Sequence, residues 1–202
     1  MADRVVAAPT ATSPGPRERH RPAYDLRPGT PDLASFPRAE WLRAARRALT
    51  VTSAPGLGSP GTFEPLTEPP YVAALTPVAN IAVGDETPWG VAAELIHLLP
   101  GTVTGSFSAG DGPGNEAGES AGRAALQAAG PRRVVAVVRD EHRHPWMASA
   151  LDTLLAARPD TIVVEMGVPQ AAPRGALHIA THGAARVCGR AAAEVITGTP
   201  GL

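Results

Sequence analysis

Apolar residues in the last two thirds of the chain form two alternating kinds of segment, one with strand character and one with helical spacing. Short apolar runs occur at Tyr71–Leu75, Asn80–Val83, Val103–Phe107, Val134–Val138, Thr161–Val164 and Leu177–Ala180. Helix candidates lie between them at Pro88–Leu99, Glu116–Ala129, Pro145–Ala157 and Ala184–Thr197. This order predicts an α/β fold, a three-layer αβα sandwich with a mainly parallel sheet and right-handed crossovers.

The helix candidate Pro88–Leu99 also carries a predicted buried face. Its apolar residues recur at helical spacing, so one side of the helix is expected to pack on the sheet. The members of this face are Trp89, Ala92, Ala93, Ile96 and Leu99.

The first third of the chain has a different pattern. Residues 1–23 are rich in Pro, Ala, Thr and Arg without a hydrophobic period, which predicts a largely disordered N-terminal arm. Residues 24–50 are predicted to form a short helical remnant, with one helix near 37–49 and Ser35 as its cap. Residues 51–69 are rich in Pro and Gly and are interpreted as a linker, so the α/β domain is expected to occupy residues 70–202.

The charged residues limit the chemistry that the chain can perform. Residues 1–50 hold nine Arg against five acidic residues, but these Arg are scattered, which favours a solvated tail over a nucleic-acid contact. All 18 basic residues are Arg, and the chain contains no Lys. Schiff-base chemistry, pyridoxal-phosphate anchoring and a Walker-type phosphate loop are therefore excluded. We expect no cofactor and no nucleic-acid partner.

Cysteine content and hydropathy bear on the cellular compartment. Cys188 is the single cysteine, so no intrachain disulfide can form, and its helix-like surroundings favour a packing role. The N-terminus lacks an apolar run of signal-peptide length, and no stretch approaches a membrane span. We therefore expect a cytoplasmic protein without a membrane partner.

Polar residues follow three of the predicted strands, at the ends where parallel α/β sheets bind ligands. These candidate residues are Asp140, His142, His144, Glu165, Thr181 and His182. One interpretation is a metal or acid–base site, although no spacing here matches a metal signature. A second is a contact surface for a partner domain. The third, which the residue types favour most, is helix capping by His and Asp together with an ion pair between Arg143 and Glu165.

Four segments in this region resemble the C-terminal domain of bacterial β-N-acetylglucosaminidases of glycoside hydrolase family 3. They are NIAVGDETPWG at 80–90, VRDEHRHPW at 138–146, VVEMGVP at 163–169 and ATHGAARV at 180–187. Their order across about residues 70–198 matches that family. The resemblance implies carbohydrate metabolism and a three-layer α/β domain that follows a catalytic barrel.

The same resemblance implies that the chain has no catalytic residues of its own. In that family the aspartate nucleophile, a Lys-His motif and an Asp-His acid–base pair belong to the barrel. Residues 1–69 are too few to form the barrel, and there is no Lys for the motif. We therefore assign no catalytic or metal-binding residue and expect no activity in isolation. The strand-end residues are then interpreted as an edge that contacts a catalytic barrel or mediates self-association.

A second and shorter resemblance covers about residues 24–50. The segment YDLRPGTPDLASFPRAEWLR at 24–43 is similar to the start of the aminotransferase-like domain in winged-helix regulators that carry a pyridoxal-phosphate fold. The alternative function is therefore a truncated remnant of such a regulator, and the chain as a whole would then be a gene fragment that joins two ancestries. The missing Lys and the short match favour the hydrolase-related domain. An autonomous small enzyme that uses the strand-end residues is a third possibility.

Overall fold

The structure, a computed structural model of the chain, describes residues 37–54, 63–76, 90–109 and 114–199. Its first elements are α1 (Arg38–Ala48), β1 (Thr50–Thr52), β2 (Tyr71–Leu75), α2 (Gly90–Leu98), β3 (Val103–Phe107) and α3 (Gly114–Ala129). The remaining elements are β4 (Val134–Val138), α4 (Pro145–Ala157), β5 (Ile162–Glu165), β6 (Leu177–Ala180) and α5 (Arg186–Thr197). A short 3-10 turn, Glu141–Arg143, lies between β4 and α4.

The six described strands form one sheet in the order β1-β6-β5-β4-β2-β3. All neighbours pair in parallel except β1, which runs antiparallel to β6 with Val51 opposite Ile179. After β2 the chain adds β3 on one side and then β4 on the other, so the strand order reverses at β2. In such sheets the binding crevice lies outside the carboxyl ends of the strands at this reversal, here those of β2 and β4.

Helices cover both faces of the sheet because successive residues of a buried strand point to opposite sides. Val134, Ala136 and Val138 pack with α3 and α4, whereas Val135 and Val137 pack with α2 and α5. All five residues of β4 are buried. The predicted three-layer α/β fold with a mainly parallel sheet is confirmed.

The helices on one face approach each other through glycine. α3 and α4 are in contact, and a Cβ atom built on Gly118 would lie 2.7 Å from the Cβ of Ser149. A Cβ on Gly122 would lie 2.8 Å from the carbonyl oxygen of Ala150. Because these glycines have no Cβ, α4 can pack closer to α3 than any other residue at these positions would allow.

Apart from β1, the described strands and helices agree with the sequence predictions to within one or two residues, but the face of α2 differs in part. Val91 and Leu95 are fully buried against the sheet, and Ala92 and Leu99 of the predicted face pack beside them, whereas Ile96 of that face is 45% exposed. The helix presents Val91 and Leu95 because both pack with Val72 and Ile196 in one cluster. The apolar run Asn80–Val83 and the predicted residues Pro88 and Trp89 lie outside the described residues.

The segment before β2 also differs from its prediction. α1 lies within the helix predicted near 37–49, while the disordered arm predicted for 1–23 and the Ser35 cap lie outside the described residues. The interpretation of residues 51–69 as a linker does not hold at their start, because Thr50–Thr52 form an edge strand on β6. Leu66 is buried, and its N–H donates to the carbonyl oxygen of Ile196. Short strands among Pro and Gly residues lack the apolar run on which strand prediction depends.

Candidate functional site

The six candidate residues lie at one edge of the sheet, because β4, β5 and β6 are neighbours and end at the same level. Val138 pairs with Glu165, and Glu165 pairs with Ala180. Asp140, His142 and His144 follow β4, while Thr181 and His182 follow β6. The structure therefore brings the three polar strand ends together, as the sequence predicted.

Glu165 is the buried centre of this edge, with 4% of its surface exposed. Its Oε1 accepts the backbone N–H of Asp140 at 3.0 Å, which is possible because Asp140 adopts a left-handed conformation with φ 56°. Burial raises the pKa of the Glu165 carboxyl, and the backbone amides of Asp140 and Glu141 oppose this rise. The carboxyl of Glu165 therefore serves as an acceptor for the turn that follows β4.

Thr181 connects the carboxyl end of β6 to Glu165 through two hydrogen bonds. Its N–H donates to the carbonyl oxygen of Glu165 at 2.9 Å, and its Oγ1 reaches that oxygen at 3.1 Å. Oγ1 also lies 2.7 Å from the carbonyl oxygen of Gly183. With 2% of its surface exposed, Thr181 closes the β6 turn from inside and is not available to a ligand.

The remaining candidates form an outer rim, consisting of Asp140, His142, His144 and His182. His142 and His182 are exposed, whereas Asp140 and His144 are half-buried. The Nε2 of His182 lies 2.8 Å from Oγ1 of Thr50, and the Oδ2 of Asp140 lies 3.8 Å from Nε of Arg139. The rim is therefore polar, largely accessible and only loosely held.

The helix caps and the ion pair expected from the sequence are not seen among the described residues, although Glu165 and Thr181 are hydrogen-bonded within the fold. Neither Asp140 before the 3-10 turn nor His144 before α4 makes a side-chain cap hydrogen bond. Arg143 is exposed, and no ion pair joins it to Glu165 among the described residues. Glu165 is bound by backbone amides instead, because the turn after β4 folds directly over its carboxylate.

A buried ion pair beside the rim was not predicted from the sequence. Glu141 is 5% exposed, and its Oε1 lies 2.5 Å from Nη1 of Arg174, which also pairs with Asp152. The backbone N–H of Arg174 donates to Nδ1 of the buried His178 at 3.2 Å. Burial lowers the pKa of His178, in the same direction as the nearby Arg174 charge. Arg174 lies in a Pro- and Gly-containing segment without periodicity, so no sequence signal marks it.

A second buried carboxylate sits where α2 meets α5. Glu94 is 3% exposed, and its Oε1 accepts a hydrogen bond from Nε of Arg186 at 2.7 Å. The start of α2 is close to the start of α5, since a Cβ on Gly90 would lie 3.1 Å from Cα of Arg186. Glu94 interrupts the apolar face of α2, and its partner could not be identified from sequence.

This geometry does not resemble an acid–base centre. Its buried carboxylates are bound within the fold, Glu165 by backbone amides and Glu141 by Arg174. The part of the chain that the structure describes contains no group of three His, Cys, Asp or Glu residues placed to hold a metal ion. Two open grooves lie along α3, one beside α4 at Ser149 and one beside β3 at Phe107, and neither involves the rim.

Comparisons with known proteins support the fold. No protein-family model and no curated protein sequence matches the chain. A family 3 β-N-acetylglucosaminidase from Paenibacillus sp. matches 91% of this chain with a TM-score of 0.63 and 20% identity. A fungal multi-domain family 3 β-N-acetylglucosaminidase, described with a glucosamine N-acetyltransferase region, matches 78% with a TM-score of 0.52 and 13% identity.

These similarities establish a glycoside hydrolase family 3-like fold for the chain. The chain spans 34% of the length of the Paenibacillus protein and 17% of the fungal protein, so it corresponds to one part of each. The N-terminal resemblance to pyridoxal-phosphate regulators receives no support from these comparisons. No helix in the described ranges is both long and apolar enough to cross a membrane.

Proposed function

We propose that the chain is the C-terminal α/β domain of a family 3 glycoside hydrolase of the β-N-acetylglucosaminidase type, with a role in carbohydrate metabolism. The observation that carries the proposal is the fold, which matches 91% of this chain to about one third of the Paenibacillus enzyme. The four sequence segments between residues 80 and 187 support the same family.

In this proposal the domain does not hydrolyse the glycosidic bond by itself. Glycoside hydrolysis requires two groups that flank one glycosidic bond. The acids at the strand ends are instead engaged within the fold, Glu165 by the Asp140 amide and Glu141 by Arg174. We assign no catalytic residue, metal or cofactor to the chain.

The rim of Asp140, His142, His144 and His182 is proposed as the surface on which a catalytic barrel packs, in the same polypeptide or in another. The rim is accessible and polar, and neither groove along α3 involves it, which suits a domain contact better than a ligand pocket. The proposal includes no nucleic-acid or membrane partner. A cytoplasmic location is part of it and is supported by the single free cysteine, Cys188.

The direct test is hydrolysis of nitrophenyl N-acetyl-β-glucosaminide by the purified chain. We expect no enzyme-dependent release of nitrophenol, with an intact family 3 β-N-acetylglucosaminidase as the positive control. Without a positioned acid and nucleophile, the rate of hydrolysis falls by several orders of magnitude. Hydrolysis that disappears in Asp140→Ala or His142→Ala would instead make the rim an active site.

A second measurement separates a contact surface from a sugar-binding site. The ring signals of His142, His144 and His182 can be followed by NMR while N-acetylglucosamine is added. A domain-contact rim leaves these signals unchanged at millimolar sugar. Saturable shifts confined to the rim histidines would show that it binds the sugar directly.

A further inference from the structure

β3 is the outermost strand of the described sheet, and one side of it is open. β2 is its sheet neighbour, and Val103, Thr104 and Ser106 are exposed, Val103 to 42%. α3 contacts β3 from one face of the sheet, while α2 packs on α5 on the other face. The outer side of β3 therefore faces no other strand within the described residues.

The two edges of the sheet are built differently. β1 is three residues long, runs antiparallel to β6 and directly follows α1. Each of these features limits the pairing of another strand with its outer edge. β3 has five residues, VTGSF, with no charged residue and no proline. Natural sheets block exposed edges with charge, proline, bulges, short strands or a covering segment, and β3 has no charge, no proline and a regular register without a bulge.

The hydrogen bonds of β3 identify the groups that face outward. The N–H of Val103 donates to the carbonyl oxygen of Pro70 at 3.2 Å, and the N–H of Thr76 donates to the carbonyl oxygen of Phe107 at 2.9 Å. Alternate residues of a strand direct their backbone groups to opposite sides. Val103, Gly105 and Phe107 therefore bond to the β2 side, while Thr104 and Ser106 present N–H and C=O outward.

We propose that a second copy of this chain pairs with β3 in an antiparallel arrangement about a twofold axis at Gly105. In this register Thr104 lies opposite the partner's Ser106, and each residue exchanges an N–H and a C=O with the other. The twofold axis repeats this pair, so four hydrogen bonds form from one self-complementary segment. Isologous contacts of this kind close a dimer and leave no free β3 edge.

The side chains fit the same register. Val103 and Phe107 point to the α3 face of the sheet, where the Phe107 ring lies 6.5 Å from the ring of Tyr71. The exposed Val103 then lies opposite the partner's Phe107, an aromatic and β-branched pair that stabilises antiparallel strands. At the axis the Tyr71 hydroxyl fills the face above Gly105, where a Cβ would collide with it. The groove between β3 and α3 is lined partly by Ser120 and Ala124, small side chains that leave room for the second copy.

The test is the oligomeric state of the full chain by sedimentation equilibrium, in wild type and in two variants of one position. Thr104→Pro removes the outward N–H and keeps the inward bonds of Val103, Gly105 and Phe107, as prolines in edge strands do. We expect a wild-type dimer whose dissociation constant rises about tenfold to a hundredfold in Thr104→Pro, since each dimer loses two hydrogen bonds. Thr104→Ala keeps the backbone donor and should remain dimeric.

Two further measurements test the dimer even if Thr104→Pro fails to fold. They also separate the dimer from the proposed role of the rim. Amide exchange at Thr104 and Ser106 in the wild type should slow when the protein concentration is raised through the dimerisation range. Asp140→Ala and His142→Ala should leave the dimer intact, because they alter only the rim. A wild-type monomer at all concentrations, a dimer unaffected by Thr104→Pro, or a dimer lost in the rim variants would each overturn the pairing through β3.

Discussion

At the scale of single residues, the buried carboxylates of this protein are held by partners distant in sequence. Glu141, Glu94 and Glu194 are each less than 9% exposed and each pairs with an arginine. A buried charge without a partner is strongly destabilising, whereas the pair as a whole contributes little net stability. These arginines therefore keep buried charges paired even though they add no catalytic group.

Replacing Arg174 by Met tests this requirement. The variant leaves the Glu141 carboxylate buried without its ion-pair partner, so we expect it to lower the free energy of unfolding by about 3 kcal/mol. Urea unfolding monitored by circular dichroism measures the change. Arg123→Met is the matched control, since its i,i+4 pair with Glu119 is exposed and should change stability by less than about 0.5 kcal/mol. Equal losses in the two variants would contradict the argument.

Sequence reasoning placed the strand-end residues correctly but not their contacts. Asp140, Glu165 and His182 could be brought to one edge because parallel strands that are neighbours end together. The choice of Arg143 as the partner of Glu165 failed because a left-handed turn at Asp140 supplies backbone donors, which side-chain identity does not reveal. Arg174 and Glu141 are 33 residues apart without a shared periodicity, so their pairing needed the fold.

At the scale of elements, the accuracy of prediction followed the strength of the local pattern. β4 is an unbroken apolar run, VVAVV, and its bounds were predicted from Val134 to Val138 because a fully buried strand requires such a run. β1 was missed, because three residues beside Pro and Gly give no period. The face of α2 was predicted only in part: Ala92 and Leu99 pack against the core, whereas Ala93 and Ile96 are exposed, because Ala residues gave the helix two possible apolar sides.

The contact between α3 and α4 gives a prediction at this scale. Gly118→Ala would place a methyl group 2.7 Å from the Cβ of Ser149, so the helices must separate. Overpacking of this kind lowers stability by about 1–3 kcal/mol, which thermal unfolding can measure. Gly114→Ala in the same helix meets nothing within 4 Å and should be neutral or slightly stabilising. A tolerated Gly118→Ala would show that the two helices are not held at this spacing.

At the scale of the whole molecule, the α/β unit begins before the predicted boundary at residue 70. α1 packs on α5, where Arg46 donates to Glu194 through Nε at 2.7 Å and Nη2 at 2.9 Å. The Arg46 hydrogen bond lowers the pKa of Glu194 despite its burial. β1 then covers the edge of β6. The described residues from Pro37 onward therefore belong to one compact unit, joined by contacts that link positions 148 residues apart.

Two truncations test where the unit begins. Deleting residues 1–36 leaves every described element in place, so the remaining chain should fold cooperatively. Deleting residues 1–54 removes α1 and β1, takes Arg46 from the buried Glu194 and opens the edge of β6. We expect this shorter chain to lose about 3 kcal/mol or more relative to the first truncation, and to aggregate through the exposed edge.

Arg46→Met in the chain that starts at residue 37 separates the stability contribution of the Arg46–Glu194 ion pair from that of β1. Arg190 still contacts Glu194 at 3.2 Å, so this variant should lose less stability than the deletion of residues 1–54 and should stay soluble. The difference between the two then reports the contribution of β1 and the packing of α1. Thermal and urea unfolding of the three proteins provide the comparison. If deleting residues 1–54 left stability and solubility unchanged, the α/β unit would begin near residue 70, as the sequence pattern alone predicted.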